Sequence, residues 1–554
     1  MMNSGSMRTA TATAVASAIS VVSISLALGI WRRKSKKVAA ESKEESGKNN
    51  EARDPPTPSD VGIACHWLWG HGMALQPDPN VPRVSHDVIF LNWMKRLKSK
   101  VVMFNLPIVG RFIVVGDAEL ARYVLSQNNK FSKSPTYKEI FPLIGNKSMV
   151  AAKERAWAQQ RKLYNPGFSP DFLRGVVDTI IQKCNRFIDK CDEDLAAGVP
   201  THMLERAVDL TVDVIVAVAF GEDWNIYDVS DGNEGLQTRD AMRDLTELLG
   251  ISQRNPLKRY FDPVHKWRVW RLSVALERNM QKLVKRRLDN FELAQGGEGL
   301  KQQKDILSLT LSSVLRSKEQ QADGAISFTS DEMETMTSQL KTFYFAGHDT
   351  TATTIAWAYW LLLQHPDSLT RAREEVVSAL GSDWAQAAIE SDGLSSTTFE
   401  QLQQCEYLDA IARETLRLYP PAASTRYGLD PNVTADGWRL GESIVHLNFY
   451  AIQRDPDLWE NPEDFVPERF LGEDGRKRIT SSGFLPFSKG ARDCIGKYFA
   501  LLEAKIALAI LICRYDGKIV DADEVYTTRL TSIPRGGCAV NLGFRESQVS
   551  SNED

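Results

Sequence analysis

A single cysteine stands in a basic, glycine-containing loop directly before an apolar segment. The loop is FLPFSKGARDCIG, residues 484–496, in which Arg492 precedes Cys494 by two positions and Gly490 and Gly496 lie on either side. The thiolate form of cysteine binds metals, and positive charge and the free N–H groups at a helix start stabilise it. Glycines let the backbone approach a flat ligand closely. The pattern therefore indicates a metal-ligating thiolate at Cys494.

The kind of metal site follows from the ligands around this cysteine. The seven cysteines of the sequence are an odd number and contain no C-x-x-C pair, which argues against a disulfide framework and against a zinc ribbon. A lone thiolate suits the axial position of a haem iron better than a four-ligand site. A cysteine hydrolase would use Cys494 as its nucleophile, but no histidine base lies close to it in a helpful motif. The residues thus favour a haem-thiolate site.

A second group of polar residues lies within a long apolar helix. Residues 328–366 have helical spacing, and Thr329 with Glu332 forms a capping box at the start. About 35 residues make a rod of about 50 Å, which must cross the whole domain. Its middle is AGHDTT, residues 346–351. These residues indicate either a bend or satisfied polar patch, or a ligand pressed against the helix at Gly347.

The cysteine loop resembles the haem-ligand loop of the cytochrome P450 superfamily. Phe487, Gly490, Arg492, Cys494 and Gly496 fit the pattern F-x-x-G-x-R-x-C-x-G, and four further motifs of that family occur in the expected order. The resemblance covers essentially everything after the N-terminal segment. It implies a mainly α protein with small β-sheets, a single large cytochrome P450 fold, with haem b (iron protoporphyrin IX) as cofactor. Cys494 would bind the iron, and the other four residues would bind the cofactor.

Three arginines and one tryptophan are implied to hold the haem propionates. WAQQR is similar to the W-x-x-x-R helix of the family, which assigns Trp157 and Arg161 to this task. Arg426, in YPPAASTRYG, stands where many members place another propionate-binding arginine, and Arg492 would supply a third. A planar guanidinium forms charge-assisted bonds with a carboxylate.

The AGHDTT stretch resembles the oxygen-activating motif of the family. The resemblance implies that Asp349 relays protons, that Thr350 holds water or dioxygen, and that Gly347 and Ala346 lie beside the haem, the glycine leaving room. Some relatives carry a glutamate that esterifies the haem before this glycine, so Ala346 implies no such covalent link. The acid–alcohol pair favours a monooxygenase over a peroxide-rearranging relative or a haem-binding sensor or carrier.

Two more motifs imply a structural role. ETLR contains Glu414 and Arg417, and PERF contains Arg469. Taken alone, the i,i+3 pair would be a routine surface ion pair. In the family the three residues form a buried triad beneath the haem, and we expect the same here.

The resemblance also implies an oxidoreductase that inserts one oxygen atom from O2 into a lipophilic substrate. Fatty acid, sterol, terpenoid and xenobiotic substrates all stay open. Electrons would come from NADPH through NADPH–cytochrome P450 reductase, with cytochrome b5 as a further donor, or from a ferredoxin in an organelle. The basic residues expected to receive the donor are Lys153, Arg155, Lys162, Lys489 and Lys497. With 67 basic and 71 acidic residues, the composition does not indicate a nucleic-acid partner.

The first residues predict a membrane attachment. Residues 1–8 form a tail, and residues 9–31 carry no charge over a length that can span a bilayer. A basic run follows directly, which favours a cytosolic catalytic domain on the endoplasmic reticulum membrane. The alternative is a transit peptide for a plastid or mitochondrion. Residues 32–58 form a charged tether and proline-rich hinge, residues 59–546 the catalytic domain, and residues 547–554 a C-terminal tail.

Overall fold

The computed structural model describes most of the chain after the N-terminal segment. The described residues are 52–63, 84–106, 110–227, 233–293, 305–319, 328–390 and 397–545. The predicted anchor and the predicted C-terminal tail lie outside these residues, so both stay predictions. Within the described part of the chain, no helix combines the length and the apolar character that crossing a membrane requires.

Helices make up most of the described structure, as the sequence predicts. In chain order the α-helices are α1 His86–Leu97, α2 Ala118–Ser126, α3 Phe141–Ile144, α4 Glu154–Tyr164, α5 Pro170–Ala196, α6 Met203–Ile215, α7 Glu234–Arg254, α8 Pro256–Phe261, α9 Pro263–Leu293, α10 Ile306–Glu319, α11 Ser330–Gln364, α12 Pro366–Leu380, α13 Ser382–Glu390, α14 Phe399–Gln404, α15 Glu406–Leu418, α16 Phe449–Ile452, α17 Gly472–Thr480 and α18 Lys497–Arg514. Short 3-10 turns cover Pro58–Val61, Pro135–Ile140, Asn165–Phe168 and Pro467–Phe470, and a π turn covers Val216–Phe220.

The strands are short and form small sheets. They are β1 Val101–Leu106, β2 Gly110–Val115, β3 Phe131–Lys133, β4 Thr201–His202, β5 Ser424–Gly428, β6 Thr434–Ala435, β7 Trp438–Arg439, β8 Ile444–Leu447, β9 Tyr515–Ile519, β10 Tyr526–Thr528, β11 Ser532–Pro534 and β12 Ala539–Phe544. One sheet has the order β1-β2-β8-β5-β3, another β4-β12-β9, and β10 pairs with β11. Residues 101–117 contain two β-rich runs about a Pro-Gly interruption, which predicts a hairpin. The antiparallel β1–β2 pair, in which Val101 lies opposite Val115, confirms this prediction.

The described residues divide into two units. The small unit comprises residues 52–54 with residues 434–439, which contain the β6–β7 pair. The large unit comprises residues 55–433 and 440–545 and contains all other elements. The predicted limits of the catalytic domain stay a prediction.

The longest helix, α11, forms the centre of the large unit. Thr329 caps it by accepting a hydrogen bond from the Glu332 N–H at 3.2 Å, and the Glu332 carboxylate accepts the Thr329 N–H at 2.8 Å, so the predicted capping box is confirmed. The helix runs without a break for 35 residues and packs against α6, α15 and α18. Its C-terminal half, from Ala352 to Leu362, is buried throughout, because helices surround it on several sides.

Candidate active site

The cysteine loop is held by its own backbone. The Cys494 N–H donates to the Phe487 carbonyl at 2.9 Å, and the Asp493 N–H donates to the Gly490 carbonyl at 3.2 Å. Gly490 has a φ of 80°, and a Cβ there would lie 3.0 Å from the Leu125 carbonyl, so both its conformation and its surroundings favour glycine. Phe487 packs against α15 and α18. The loop therefore presents Cys494 three residues before α18, as the sequence predicts.

The Cys494 thiol has an environment that can hold a thiolate next to a metal. Burial raises the pKa of this thiol, while a hydrogen bond from the Gly496 N–H and the charges of Arg161 and Lys497 act to lower it. Its side chain is nevertheless accessible to solvent. Protein atoms on many sides and an accessible sulfur together mean that Cys494 lines an interior space. Gly496 is the N-cap of α18, so the sulfur lies near the positive end of that helix.

Helix α4 is tied to the cysteine loop through Arg161. Its Nη1 donates to the Asp493 carbonyl at 2.7 Å, its Nη2 to Asp493 Oδ1 at 2.9 Å, and its Nε to Asn165 Oδ1 at 2.9 Å. On the other side, Lys497 Nζ donates to Asp493 Oδ2 at 2.9 Å. The structure engages all three of its nitrogens with the protein, while Nη1 and Nη2 each carry a second N–H. The propionate contact predicted for Arg161 stays a prediction. The observed role of Arg161 is to hold the residue that precedes Cys494.

Arg426 and Arg492 do keep unpartnered donors. Arg426 is 1% exposed, and its Nη1 donates to Ser424 Oγ at 2.8 Å while Nε and Nη2 have no partner. Arg492 is also buried; its Nη2 binds Glu154 Oε1 at 2.9 Å, and its Nε and Nη1 have no partner. Its guanidinium lies 4.8 Å from the ring centre of Trp157. Buried N–H groups without partners are costly, and these nitrogens have the chemistry to bind an anion.

The pKa of each of these two arginines is lowered in the folded protein. Burial lowers the pKa of Arg426, and the charge of Arg492 lowers it further. Burial also lowers the pKa of Arg492, against which the Glu154 carboxylate acts. Two guanidinium groups that disfavour each other's charge would be stabilised by a ligand with two carboxylates.

The AGHDTT stretch lies on α11, and its polar groups form hydrogen bonds within this helix and with α6. Thr350 Oγ1 donates to the Ala346 carbonyl at 3.0 Å, and Thr211 Oγ1 of α6 donates to the His348 carbonyl at 3.0 Å. Ala346 is exposed although its neighbours along the helix are largely buried, so it too borders an open space. The helix continues through this stretch, and its hydrogen-bonded hydroxyls fit the satisfied polar patch of the first interpretation; the ligand pressed against Gly347 stays a prediction.

Asp349 has a partner from a distant part of the chain. Thr531 Oγ1, in the turn between β10 and β11, donates a hydrogen bond to Asp349 Oδ2. The neighbouring His348 is buried, its Nδ1 lies 2.6 Å from the Tyr344 carbonyl, and burial lowers its pKa. Within the described residues, no hydrogen bond or ion pair joins Asp349 or Thr350 to Cys494.

The structure gives a packing reason for the glycine at position 347. A Cβ at this position would lie 2.8 Å from Cδ1 and Cγ1 of Ile215. The missing side chain therefore lets α6 and α11 approach each other closely. The room beside the cofactor that the sequence predicts at Gly347 stays a prediction.

The structure brings Glu414, Arg417 and Arg469 together. Glu414 and Arg417 are fully buried and share two bonds of 2.7 Å, from Nε to Oε2 and from Nη2 to Oε1. Arg469 Nε lies 3.4 Å from Glu414 Oε1. Arg417 also donates to the carbonyls of Gln453 and Pro462, at 3.0 and 2.6 Å. This geometry excludes the interpretation as a routine surface pair.

Four residues near the site belong to none of the sequence motifs, namely Lys133, Tyr137, Asp493 and Thr531. Lys133 lies opposite Arg426 in the β3–β5 ladder, and its ammonium lies 5.0 Å from the ring centre of Tyr137. Thr531 reaches Asp349 only because the β10–β11 hairpin folds back onto α11. Asp493 could have been inferred, because it lies between two motif residues. The other three depend on contacts between distant parts of the chain.

Taken together, the fold and site define a haem-thiolate protein. The cysteine that lines an interior space, the loop glycines and the anion site at Arg426 and Arg492 fit haem b, whose iron needs one thiolate and whose propionates need cationic donors.

Comparisons with known proteins agree. The cytochrome P450 family model matches residues 80–534, and the chain therefore belongs to the cytochrome P450 family. Cytochrome P450 4A11 of Homo sapiens is 29% identical over 465 residues, which cover 81% of this chain and 82% of the relative. Cytochrome P450 4A24 of Sus scrofa is 27% identical over 461 residues, covering 81% and 84%. A crystal structure of the cytochrome P450DA heme domain has a TM-score of 0.72 at 22% identity, and the match covers 90% of this chain and 99% of that chain.

The family establishes the class of activity and the cofactor. The protein is a cytochrome P450 monooxygenase, and its cofactor is haem b. Enzymes of this family receive electrons from redox partners and bind lipophilic substrates. The individual roles of the site residues are proposals, to which we now turn.

Proposed function

We propose that this enzyme inserts one oxygen atom from O2 into a lipophilic substrate such as a fatty acid, sterol, terpenoid or xenobiotic, with Cys494 as the iron ligand. The observation that carries the proposal is that Asp349 and Thr350 are partly accessible within a long helix whose other central side chains are mostly buried. When bound, haem b supplies reductive oxygen activation and oxidation of a C–H bond. The protein must deliver protons, hold the substrate and retain the cofactor.

Asp349 and Thr350 are proposed to deliver the protons. Asp349 is half-buried, with one carboxylate oxygen held by Thr531, so it can accept a proton at its other oxygen and pass it inward. The Thr350 hydroxyl donates to the Ala346 carbonyl, which leaves its oxygen lone pairs available to orient a water molecule. A haem sensor or a peroxide-rearranging enzyme has no use for this pair.

The substrate region is proposed to be apolar. Ile144, Phe343 and Ile533 are buried, and Phe345 packs against the same hydrophobic core. Phe141, Ala422 and Ala423, which we also propose to line this region, are apolar. Burying such surface is worth about 25 cal/mol per Å², which favours a hydrocarbon over a charged ligand.

Electron transfer is proposed to use the exposed surface of α4. Of the five basic residues expected to receive the donor, Lys153, Arg155 and Lys162 are exposed. The other two bind the protein itself: Lys497 pairs with Asp493, and Lys489 donates to two backbone carbonyls after α17. The docking surface is therefore centred on α4. NADPH–cytochrome P450 reductase is the proposed donor, with cytochrome b5 as an accessory donor or a ferredoxin if the protein is organellar.

A membrane contact is proposed for α8 and α9, in addition to the predicted anchor. Apolar side chains project into solvent there, and the exposed members are Phe261, Val264, Trp267, Trp270 and Val274. Basic side chains accompany them, namely Lys258, Lys266, Arg268 and Arg271. Tryptophans flanked by cations suit the headgroup region of a bilayer. This supports the endoplasmic reticulum membrane as the proposed location, with a plastid or mitochondrion as the alternative.

Turnover with labelled oxygen tests the proposed function. The full chain is combined with the reductase, NADPH, ¹⁸O2 and a mixture of lipophilic compounds, and we expect a product that gains a single labelled oxygen atom. Replacing Cys494 by Ser should abolish both the product and the thiolate-type spectrum of the carbon monoxide complex. Conversion of a hydroperoxide without O2 would favour the rearranging enzyme, and bound haem without any product would favour the sensor or carrier.

Charge reversal tests the docking surface. A variant with Lys153, Arg155 and Lys162 changed to Glu should raise the KM for the reductase at least tenfold. Turnover driven by added peroxide should be unchanged, because it needs no donor protein. An equal loss in both assays would contradict docking on α4.

A further inference from the structure

Three cations, Lys133, Arg426 and Arg492, meet at one side of the site. Lys133 and Arg426 are directly opposite each other on the antiparallel strands β3 and β5, so their side chains project from the same face of the sheet. Tyr137, in the 3-10 turn that follows β3, lies under the Lys133 ammonium, which is 5.0 Å from its ring centre. Arg492 approaches from the cysteine loop.

This cluster has too little negative charge to balance it. Glu154, bound to Arg492, is the single carboxylate that any hydrogen bond or ion pair of the described residues brings to these three cations. Burial lowers the pKa of Lys133 to about 8; Tyr137 opposes this effect, and Arg426 and Arg492 add to it. Burial alone would raise the pKa of Tyr137, but Lys133, Arg426 and hydrogen bonds with Thr425 bring it to about 8. Both shifts have the sign expected of an excess of positive charge.

We propose that Lys133 and Tyr137 bind the carboxylate end of haem b together with Arg426 and Arg492, the Lys133 ammonium pairing with a propionate and the Tyr137 hydroxyl donating a hydrogen bond to it. The unpartnered nitrogens of the two arginines and the unbalanced charge both call for an anion. A dicarboxylate would satisfy them without desolvating a further side chain. The inference depends on the cofactor and not on the identity of the substrate.

Haem retention is the first test. The holoenzyme is mixed with excess apomyoglobin, and the rate of haem transfer is compared between the wild type, Lys133→Met, Tyr137→Phe and Lys138→Met. Lys138 is exposed on the same 3-10 turn and serves as the matched control. We expect about tenfold faster loss from Lys133→Met, a smaller increase from Tyr137→Phe, and no change in the control, since a charge-assisted bond is stronger than a neutral one. Equal rates in Lys133→Met and Lys138→Met would overturn the proposal.

Two further measurements separate binding from a general loss of structure. The full chain is reconstituted with the dimethyl ester of haem b, which has no propionate charge; the difference between wild type and Lys133→Met should then disappear. The reduction potential of the holoenzyme should become more negative in Lys133→Met and stay unchanged in Lys133→Arg, because a positive charge nearby stabilises the reduced form. A difference that persists with the ester, or a Lys133→Arg variant that behaves like Lys133→Met, would show a structural role and overturn the inference.

Discussion

Replacing Glu414 by Gln removes one negative charge from a fully buried group while it preserves the size of the side chain. In the wild type, Glu414 binds Arg417 through two bonds of 2.7 Å and also accepts the Val466 N–H at 2.9 Å. Arg469 lies 3.4 Å away on the same carboxylate. In the variant, two guanidinium groups would face each other without a counterion. We expect a large loss of stability for a substitution that creates no cavity.

The magnitude follows from the contacts that remain. Removing one partner of a buried ion pair costs about 3–5 kcal/mol, because the other charge stays buried without compensation. Arg417 keeps hydrogen bonds to the carbonyls of Gln453, Pro462 and Asp464, which places the expected loss near the lower end, at about 3 kcal/mol. Unfolding a chain of this size gains about 1 kcal/mol of entropy per kelvin, so the Tm should fall by about 3 °C.

The assay is unfolding of the holoenzyme by urea and by heat, followed by circular dichroism. A matched control lies on the same helix: Arg413 pairs with Asp409 at 2.5 Å, but both side chains reach solvent. Arg413→Gln should therefore cost less than about 1 kcal/mol. The reasoning is refuted if Glu414→Gln costs no more than the control. Combining Glu414→Gln with Arg469→Gln should recover part of the loss, because it removes the repulsion between the two arginines.

Three other substitutions test separate features of the structure. Thr531→Val removes the hydroxyl that holds Asp349, so we expect kcat to fall about tenfold with little change in KM and a larger solvent isotope effect on turnover. Glu503 is buried with neither oxygen partnered, and burial raises its pKa well above 4.5. The unfolded chain therefore releases this proton at lower pH than the folded one, and stability falls as the pH rises above about 4.5. Glu503→Gln should remove that fall and raise the unfolding free energy at pH 7 by up to about 3 kcal/mol, at about 1.4 kcal/mol per pH unit. Gly347→Ala places a Cβ 2.8 Å from Ile215 and should cost about 1–3 kcal/mol in the urea assay.

Each of these three substitutions has a control variant whose behaviour could contradict the proposed explanation. Thr531→Ser keeps the hydroxyl and should keep wild-type kinetics; loss of activity in both variants would mean that the hydrogen bond is not the cause. Glu374 is exposed, so Glu374→Gln should leave the pH dependence of stability unchanged. Adding Ile215→Ala to Gly347→Ala should relieve the close contact. A double variant less stable than the sum of the two single changes would contradict the packing argument.

Much of this protein could be predicted from its sequence because the relevant signals are local. The capping box of Thr329 and Glu332, the uninterrupted helical spacing after it and the β1–β2 hairpin are confirmed, since each depends on neighbouring residues. The Cys494 loop is likewise local, because a glycine with positive φ and a following helix place the cysteine side chain. Family, cofactor and class of activity all follow from such short motifs.

The roles of individual charged residues were decided by the tertiary structure. Arg161 and Arg492 are equally plausible propionate ligands in the sequence, yet Arg492 has two buried nitrogens without a partner, whereas Asp493 and Asn165 engage all three nitrogens of Arg161. At Gly347, the tertiary structure shows a role that the motif does not indicate, which is to admit a neighbouring helix.

What the sequence by itself determined is therefore the family, the fold class and the position of Cys494 in a loop before a helix, since these are encoded by residue type and spacing within a few turns of chain. What only the tertiary structure decided is how charge is distributed around that chemistry. The pairing of Lys133 with Arg426 joins strands almost three hundred residues apart, and the contact of Thr531 with Asp349 spans 182 residues. Electrostatic interactions depend on distance and burial in space, and neither quantity can be read from separation along the chain.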